Sequence, residues 1–368
     1  MKRINMMSSA DRVEGQGVGS ATKEQVNLVM ESLDHDYEIT KNQLVFEGIN
    51  HYHTIDFRHF LHMVFSGKKN AKVGSVHFLP ETIEGSIKLP FGIRHIFYRY
   101  IIRFYKTMDY LVTVNPYFME RLVAQGINRE KVHYIPNYVS KDEFYPMKRK
   151  GINQIKASYG IDTDQFVVLG VGQIQTRKGV LDFIEIAKDN PEMTFVWAGG
   201  FSFGKITDGY DALKKVTKNP PSNVKFIGIV NRSKMNSLYN MADVLFMPSY
   251  NELFPMSILE AMNCKTPLLL RDIPIYEGIL NGYYIKADDN EAFSNELRAL
   301  SNDEIYYRTA SHMSKKGSDF YSKEHVLVMW EAFYQKVYEE KLGSMTAKDS
   351  KSINGHNGKK HFKEKVVS

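Results

Sequence analysis

The stretch FVVLGVGQIQTRKG, residues 166–179, decides the fold. A short apolar run is followed by glycines and two cations, and then by apolar residues at helical spacing. The same alternation of apolar strand and amphipathic helix then repeats as far as residue 271, which predicts an open parallel sheet with helices on both faces. The predicted strands are 166–172, 193–199, 223–229, 243–249 and 266–271, and the predicted helices are 179–190, 209–217, 232–241 and 255–263.

A similar alternation precedes this one, so the sequence predicts two α/β domains. Its predicted strands are 3–9, 43–49, 72–79 and 110–114, with helices at 21–33 and 55–65. A charged break at 140–165 separates the two patterns. We therefore expect two Rossmann-like, doubly wound domains that face a cleft. The expected divisions are an N-terminal domain 1–155, a second domain 156–320, a helix 321–342 that packs back on the first domain, and a basic disordered tail 343–368.

Composition excludes several classes of protein. The chain has 368 residues, of which 43% are hydrophobic and 12% aromatic, and that is too apolar for a disordered protein. Cys264, the single cysteine, excludes a disulfide scaffold and a cysteine zinc site. No apolar run reaches the roughly 18 residues of a membrane span, and the first residues turn polar too early for a signal peptide.

Charge is distributed unevenly. Residues 1–160 carry 22 Lys and Arg against 16 Asp and Glu, a net charge of +6, whereas the remainder carries 26 of each. This asymmetry indicates an anionic partner for the first half, although an ordinary solvated surface gives a similar excess fairly often.

Two glycine-containing turns are candidate ligand sites. Gly15, Gly17 and Gly19 lie between the first strand and helix, where glycine lets the backbone approach a phosphate or a sugar. Arg177 and Lys178 lie just before the helix at 179, and two fixed cations beside free backbone N–H groups suit a diphosphate. A tight turn and a solvated charged turn are the respective alternatives.

The segment NELFPMSILE, residues 251–260, is the most specific motif. Glu252 follows a predicted strand, Pro255 suits the start of a helix, and Glu260 lies about one and a half turns into that helix. A carboxylate accepts two hydrogen bonds from neighbouring sugar hydroxyls. The alternative is a helix with two ordinary surface acids, but that leaves the proline and the intervening apolar residues unexplained.

Together, VGQIQTRKG, IGIV and ADVLFMPSYNELFPMSILEAM resemble the donor half of retaining GT-B glycosyltransferases of family 4, over residues 166–270. The resemblance implies that Arg177 and Lys178 neutralise a nucleotide-sugar diphosphate, that Glu260 accepts from the ribose, and that Glu252 lies beside the transferred sugar. It implies a cleft histidine at His77, near the sugar and the incoming hydroxyl; alone, His77 is more often structural. The other implied donor contacts are Phe254, Pro255, Met256, Ser257, Gly17, Gly172 and Val230.

Sequence motifs in the first half of the chain make the resemblance more specific. Three runs are similar to Gram-positive enzymes that add a second hexose to glucosyl-diacylglycerol, namely NMMSSADRVEGQGVGSA, VHFLPETIEGSIKLPFG and KVHYIPNYVSKDEFYP. Those enzymes make the disaccharide lipid that anchors lipoteichoic acid. This similarity extends to about residue 340, and only the basic tail departs from it. It implies a UDP-sugar donor, with galactose favoured over glucose, and a glycolipid acceptor.

Residues 91–107 suit such an acceptor on physical grounds. In a helix, Arg94, Arg99, Arg103 and Lys106 form a basic stripe beside an aromatic and aliphatic face, and no acid lies between 91 and 108. This pattern is typical of helices at an anionic membrane interface, and an ordinary domain helix is the alternative. His53 is predicted to contact a sugar or a lipid headgroup, because His51 and His53 lack a third ligand for a metal.

We therefore expect a hexosyltransferase, peripherally bound at the cytoplasmic membrane face, that retains the anomeric configuration and requires no essential metal or cofactor. Other sugar acceptors, a non-catalytic accessory subunit and a two-Rossmann oxidoreductase are the alternatives. The oxidoreductase is disfavoured because neither predicted sheet has a G-x-G-x-x-G loop after its first strand. Nucleic-acid binding is disfavoured because no reader motif is present.

Overall fold

The computed structural model describes residues 2–9, 17–67, 70–79, 91–202, 204 and 207–343, with the side chains of 17, 18 and 91 excepted. An N-terminal sheet has six parallel strands in the order β2-β1-β3-β4-β5-β6. Its strands are β1 Lys2–Met7, β2 Tyr37–Lys41, β3 Gly48–Tyr52, β4 Asn70–Val76, β5 Tyr110–Thr113 and β6 Val132–Tyr134. Its helices are α1 Gly17–Ser32, α2 Phe57–Phe65, α3 Phe91–Lys106 and α4 Pro116–Ala124.

A second parallel sheet follows, in the order β12-β11-β10-β7-β8-β9. Its strands are β7 Val167–Val171, β8 Thr194–Ala198, β9 Val224–Gly228, β10 Val244–Met247, β11 Leu268–Arg271 and β12 Ile285–Ala287. The helices that connect or flank them are α5 Arg149–Ser158, α6 Val180–Asp189, α7 Tyr210–Lys218, α8 Arg232–Met241, α9 Met256–Asn263, α10 Pro274–Leu280, α11 Asn290–Asn302 and α12 Glu304–Phe320. The predicted pair of doubly wound parallel sheets is confirmed.

The last helix returns to the first domain. Helix α13, Lys323–Val337, continues as a π-helical turn at Tyr338–Gly343. Trp330, Phe333 and Tyr334 of this helix are buried with Ile4 and Met6 of β1. The hydroxyl of Tyr334 also contacts Nδ1 of His51 at 2.7 Å. Burial of three aromatic side chains therefore ties the end of the described chain to its beginning.

The structure corrects several predicted elements. Residues 43–49 are mostly a loop, because β1 pairs with β2 at Tyr37–Lys41 and with β3 at Gly48–Tyr52. The break predicted at 140–165 contains helix α5. Its amphipathic pattern is too short to predict a helix from the sequence. Helix α1 already begins at Gly17, so Gly17 and Gly19 lie in a helix rather than in a loop. Gly15 and the tail 344–368 lie outside the described residues.

Helix α3 exposes its predicted basic stripe but only part of its predicted apolar face. Ile101, Phe104 and Tyr105 are buried in the domain core, so this part of the aromatic face cannot meet a membrane. Arg99 and Arg103 point outward and are exposed. None of the helices in the described part of the chain is long and apolar enough to cross a bilayer.

Candidate active site

Arg177, Lys178 and Glu252 form a compact ionic cluster where β7 and β10 end. The ammonium of Lys178 lies 2.5 Å from Oε1 of Glu252, and the guanidinium of Arg177 lies 3.7 Å from Oε2. Arg177 also donates a 2.9 Å hydrogen bond to the carbonyl of Asn251. Because both turns follow parallel strands, their side chains meet at the carboxyl edge of the sheet. Two cations face one carboxylate, so the cluster keeps a net positive charge.

Glycines make this close approach feasible. Gly172 has φ of +143°, a conformation that L side chains rarely adopt, and a Cβ there would lie 3.3 Å from Cε of Lys178. Gly179 has φ of +67°, and a Cβ there would lie 2.3 Å from the carbonyl oxygen of Pro248. The Thr176–Lys178 turn is therefore held against the β10 loop, and a side chain at Gly172 would crowd the end of the Lys178 side chain.

The electrostatics of the cluster favour its charged form. Burial alone would raise the pKa of Glu252, but Lys178 and Arg177 outweigh burial and hold that pKa below its ordinary value. Burial lowers the pKa of Lys178, and Glu252 opposes this shift only in part. An incoming diphosphate would add negative charge beside Lys178 and so oppose the effect of burial on the pKa of Lys178. The site is thus suited to an anion.

Glu260 lies on α9 and is engaged by two side chains. Nη1 of Arg232 lies 2.7 Å from its Oε1, and the hydroxyl of Tyr239 donates to Oε2 at 2.6 Å. Arg232 also contacts Glu24 of α1 and Glu143, so one guanidinium connects the two domains. A ribose that hydrogen-bonds to Glu260 would have to share or replace these partners.

Burial has the largest effect on the pKa values of the two buried carboxyl groups that contact Arg232. It raises the pKa of Glu260 above its ordinary value despite the neighbouring Arg232, and it does the same for Glu24. For Arg232, the attraction of Glu260, Glu24 and Glu143 outweighs burial and raises the pKa. Arg232 therefore stays charged, while Glu260 and Glu24 are protonated more readily than exposed glutamates.

The loop that carries the donor motif is anchored on the first domain. Nδ2 of Asn115 donates to the carbonyl of Leu253 at 2.8 Å, and Nδ2 of Asn137 donates to that of Phe254 at 3.3 Å. Phe254 is buried against Tyr321, with the ring centroids 5.0 Å apart. The carboxyl edges of the two sheets therefore meet at this loop.

Helix α9 begins at Met256, and Pro255 is its N-cap residue. Met256 and Ser257 lie in the first turn, where backbone N–H groups are oriented toward the helix N-terminus. Pro255 has no N–H, so it can shape the turn but cannot donate a backbone hydrogen bond to a ligand. Val230 follows β9 and is half-buried in the core, directly before the α8 N-cap Asn231.

His77 follows β4 at the same edge of the first sheet. Burial lowers its pKa to about 4, so it is neutral at physiological pH. Its Nε2 is buried, and no hydrogen-bond partner for this atom lies among the described residues. The ring lies 6.2 Å from that of His53.

The structure places His53, which is predicted to contact an acceptor, inside the first domain. His53 is only 2% exposed and stacks on His51, with ring centroids 4.2 Å apart. Nδ1 of His53 lies 3.2 Å from the hydroxyl of Ser75, and Nε2 lies 3.4 Å from the sulfur of Met6. Both ring nitrogens are therefore engaged inside the domain.

Four contributors to this cleft escaped prediction from the sequence. Asn115 and Asn137 each directly follow a short strand that ends at the cleft, and that position was the available signal. Arg232 and Glu24 carried no local signal, because they meet across 208 residues of chain. Among the described residues, no group of three or more His, Cys, Asp or Glu side chains could hold a metal ion.

Comparison with known proteins identifies relatives of this architecture. The profile of the family Glycosyl transferases group 1 matches residues 151–320. The alpha-galactosylglucosyldiacylglycerol synthase of Streptococcus pneumoniae is 44% identical over 334 residues, which span 91% of this chain and 89% of that protein. The processive diacylglycerol alpha-glucosyltransferase of Acholeplasma laidlawii is 30% identical over 210 residues, 56% of this chain and 62% of that protein.

A solved structure shares the fold. The crystal structure of Anabaena Alr3699/HepE in complex with UDP and glucose superimposes with a TM-score of 0.69 at 14% identity, covering 92% of this chain and all of that chain. The predicted GT-B architecture and the predicted relation to glycolipid hexosyltransferases are confirmed. The chain therefore belongs to the group 1 glycosyl transferases and is a hexosyltransferase.

Proposed function

We propose that this enzyme transfers a hexose, galactose in preference to glucose, from a UDP-sugar to glucosyl-diacylglycerol and retains the anomeric configuration. The observation that carries the proposal is the 44% identity to the pneumococcal synthase across 91% of the chain. The ionic cluster at Arg177, Lys178 and Glu252 supports it, because a nucleotide sugar offers a diphosphate to two fixed cations.

In the proposed mechanism, the donor half stabilises the leaving group. Negative charge grows on the diphosphate as the glycosidic bond breaks, so Arg177 and Lys178 act more strongly on the transition state than on the bound donor. Glu252 is held between the cations as an ion partner, which argues against its acting as a nucleophile. The leaving diphosphate takes the proton of the acceptor hydroxyl, and attack occurs on the same face of the sugar.

In the nucleoside site, Glu260 accepts hydrogen bonds from the ribose hydroxyls, and Arg232 keeps its carboxylate oriented. His77 contributes a neutral ring at the opposite wall, and a neutral imidazole can donate from one nitrogen and accept at the other. Contacts from Gly17, Gly172, Val230, Phe254 and the first turn of α9 complete the proposed donor site.

We propose that the first domain docks on the inner face of the cell membrane. The exposed Arg99, Arg103 and Lys106 of α3, together with Arg94, supply positive charge for an anionic lipid surface. This part of the proposal rests on the basic side of α3 alone, since much of its aromatic face is buried.

Radiolabelled UDP-galactose and UDP-glucose, each incubated with purified protein and glucosyl-diacylglycerol, test the substrates. We expect a diglycosyl lipid with an α linkage by NMR, formed faster from UDP-galactose. Faster transfer from UDP-glucose would reassign the donor, and no lipid product from either would reject the acceptor.

A further inference from the structure

Helix α2 has two apolar sides, and only one of them is covered. His59, His62 and Met63 are buried, as expected for a helix that packs on a sheet. Phe57, Leu61, Val64 and Phe65 form the other side, at the i, i+4, i+7 and i+8 spacing of one helix face. Phe57 is 66% exposed and Phe65 is 76% exposed. A cluster of large apolar side chains on a protein surface marks a site that binds a ligand, another protein or a membrane.

The exposed face of α2 continues on both flanks. Leu44 and Phe46, in the loop between β2 and β3, are both more than half exposed, and Phe46 stacks on His62 with ring centroids 5.0 Å apart. On the other flank, Phe60 packs on Tyr100 of α3 at 5.6 Å. The exposed Ile93 and Ile96 precede Tyr100 on the same face of α3. We call these exposed residues of α2, its flanking loop and α3 the α2 surface.

Charge on the two helices of this surface has one sign. The sequences of α2 and α3 contain no Asp or Glu, whereas Arg58, Arg94, Arg99 and Arg103 lie on them. Large apolar side chains flanked by arginines match an anionic lipid interface, in which the apolar groups enter the acyl region and the cations stay at the headgroups.

A polar cavity adjoins the first turn of α2. Its volume is about 360 Å³, and it is lined by Ser8, Ser9, Asn42, Asp56, Arg58 and His59 together with Met7. These residues follow β1, β2 and β3, so the cavity opens at the same carboxyl edge as Asn115, about three strand spacings or 15 Å away. Cavities of about 300–1,000 Å³ are typical of small-ligand sites.

The cavity wall is preorganised. Ser9 and Thr54 both donate to Oδ2 of Asp56, and Nδ1 of His59 lies 3.3 Å from the same oxygen. Asn42 clamps the backbone of Ser8 through its side-chain amide, with φ of +54° at Asn42 itself. A carboxylate, a guanidinium and hydroxyls on a fixed frame are the groups that bind a polyhydroxylated headgroup.

We propose that α2 enters the lipid surface and that the cavity beside its first turn receives the sugar headgroup of the acceptor. This inference rests on the proposed transfer to a glycolipid. One helix then performs two tasks: its outward face holds the enzyme at the acyl chains, and its first turn holds the headgroup at the cleft.

Vesicle sedimentation tests the lipid contact. Phe57→Ser, Leu61→Ser and Phe65→Ser are combined, with Ile305→Ser and Val328→Ser as a matched control on exposed apolar residues elsewhere. Vesicles of phosphatidylcholine with glucosyl-diacylglycerol are used at about 1 M NaCl, where screening shortens to about 3 Å. We expect the α2 variant to lose about tenfold or more in partition while the control does not. Equal partition of the α2 variant and the parent protein overturns the proposal.

Gel filtration tests the alternative that a second copy of this chain covers the α2 surface. A dimer of the parent protein that the α2 variant abolishes, with vesicle partition unchanged, would assign the surface to a second copy and overturn the lipid contact. Sedimentation does not depend on turnover, so an enzyme that glycosylates no lipid rejects the proposed function while the α2 result still stands.

Kinetics test the headgroup cavity. Arg58→Ala should raise KM about fivefold or more for glucosyl-diacylglycerol in detergent micelles and for methyl glucoside, since loss of a charged hydrogen bond weakens binding. Arg308→Ala, at an exposed arginine of α12, is the control. The α2 variant should keep the parent KM for methyl glucoside. An unchanged KM in Arg58→Ala for both acceptors refutes the headgroup assignment.

Discussion

The second domain, which is the proposed donor half, and the first domain, which is the proposed acceptor half, place their charges differently. In the donor half, Lys178 and Arg232 lie against the buried carboxylates Glu252 and Glu260. In the acceptor half, the buried carboxylate Glu24 pairs with Arg232 of the other half. The buried histidines of the acceptor half all have a lowered pKa, namely His51, His53 and His77. The cations of α3 face outward instead.

This contrast separates two kinds of recognition. Buried, paired charges are expensive to assemble and bind a small anion at a fixed position. Exposed cations on a helix cost little and suit an extended, fluid surface. The following predictions test whether each half behaves according to its charges.

Removal of the Lys178 charge should have the largest effect. Lys178→Met keeps the aliphatic stem but leaves Glu252 with one cation, so we expect kcat/KM to fall roughly a hundredfold or more. Arg177→Ala, at a more exposed position, should cost at least about tenfold, or about 1.4 kcal/mol. Lys188→Met, at a surface ion pair of the same domain, is the control. Steady-state rates near those of the parent in both variants would remove the diphosphate assignment.

Neutralising α3 should have the next largest effect. Arg99→Ser, Arg103→Ser and Lys106→Ser combined should weaken binding to anionic vesicles by about 3 kcal/mol, or roughly a hundredfold, because each cation contributes about 1 kcal/mol. The difference should shrink at high salt, unlike that of the α2 variant. Unaltered binding to anionic vesicles at low salt would show that α3 is an ordinary domain helix.

The buried histidines should make the stability of the protein pH-dependent. Their folded pKa values lie below the ordinary 6.5, at about 3 for His51 and about 4 for His77. The unfolded chain therefore binds more protons below pH 6.5, and the free energy of unfolding falls as the pH decreases from about 6.5 to about 4. Each histidine contributes up to about 1.4 kcal/mol per pH unit.

Denaturant titrations between pH 6 and 5 measure this dependence. His53→Gln should make the pH slope shallower by about 1.4 kcal/mol per unit, whereas His35→Gln, at an exposed side chain, should leave it unchanged. An identical slope in His53→Gln and the parent would mean that His53 is not held neutral in the fold.

Glu260→Gln should produce the smallest effect. The amide oxygen can still accept one ribose hydroxyl, so we expect KM for the UDP-sugar to rise a few fold, with kcat nearly constant. Glu252→Gln should instead lower kcat. Calorimetry of UDP binding distinguishes the two residues, and an unchanged UDP affinity in Glu260→Gln would make that residue purely structural.

The fold and the candidate site residues of the donor half were easier to predict from the sequence. Each of its strands is a short apolar run directly followed by its functional turn, so local pattern predicts both the fold and the positions of Arg177, Lys178 and Glu252. Partners distant in the chain were not predictable, because the contact of Glu24 with Arg232 depends on how the two domains meet.

The acceptor half was harder to predict for a physical reason. The apolar residues of 43–49 suggested a strand, yet Leu44 and Phe46 are exposed in a loop. Conversely, the polar β2 strand pairs at the sheet edge, where burial is incomplete and the pattern is weak. Sequence pattern assumes that apolar side chains are buried in protein, and that assumption fails where large apolar side chains such as Leu44 and Phe46 are exposed.

The central claim is hexose transfer to a diacylglycerol glycolipid, and mass analysis of the lipid product tests it most directly. Purified enzyme, UDP-galactose and glucosyl-diacylglycerol should yield a galactosyl-glucosyl-diacylglycerol with an α linkage, and Lys178→Met should yield far less. Release of UDP and free galactose without a diglycosyl lipid, with either UDP-sugar, would contradict the account.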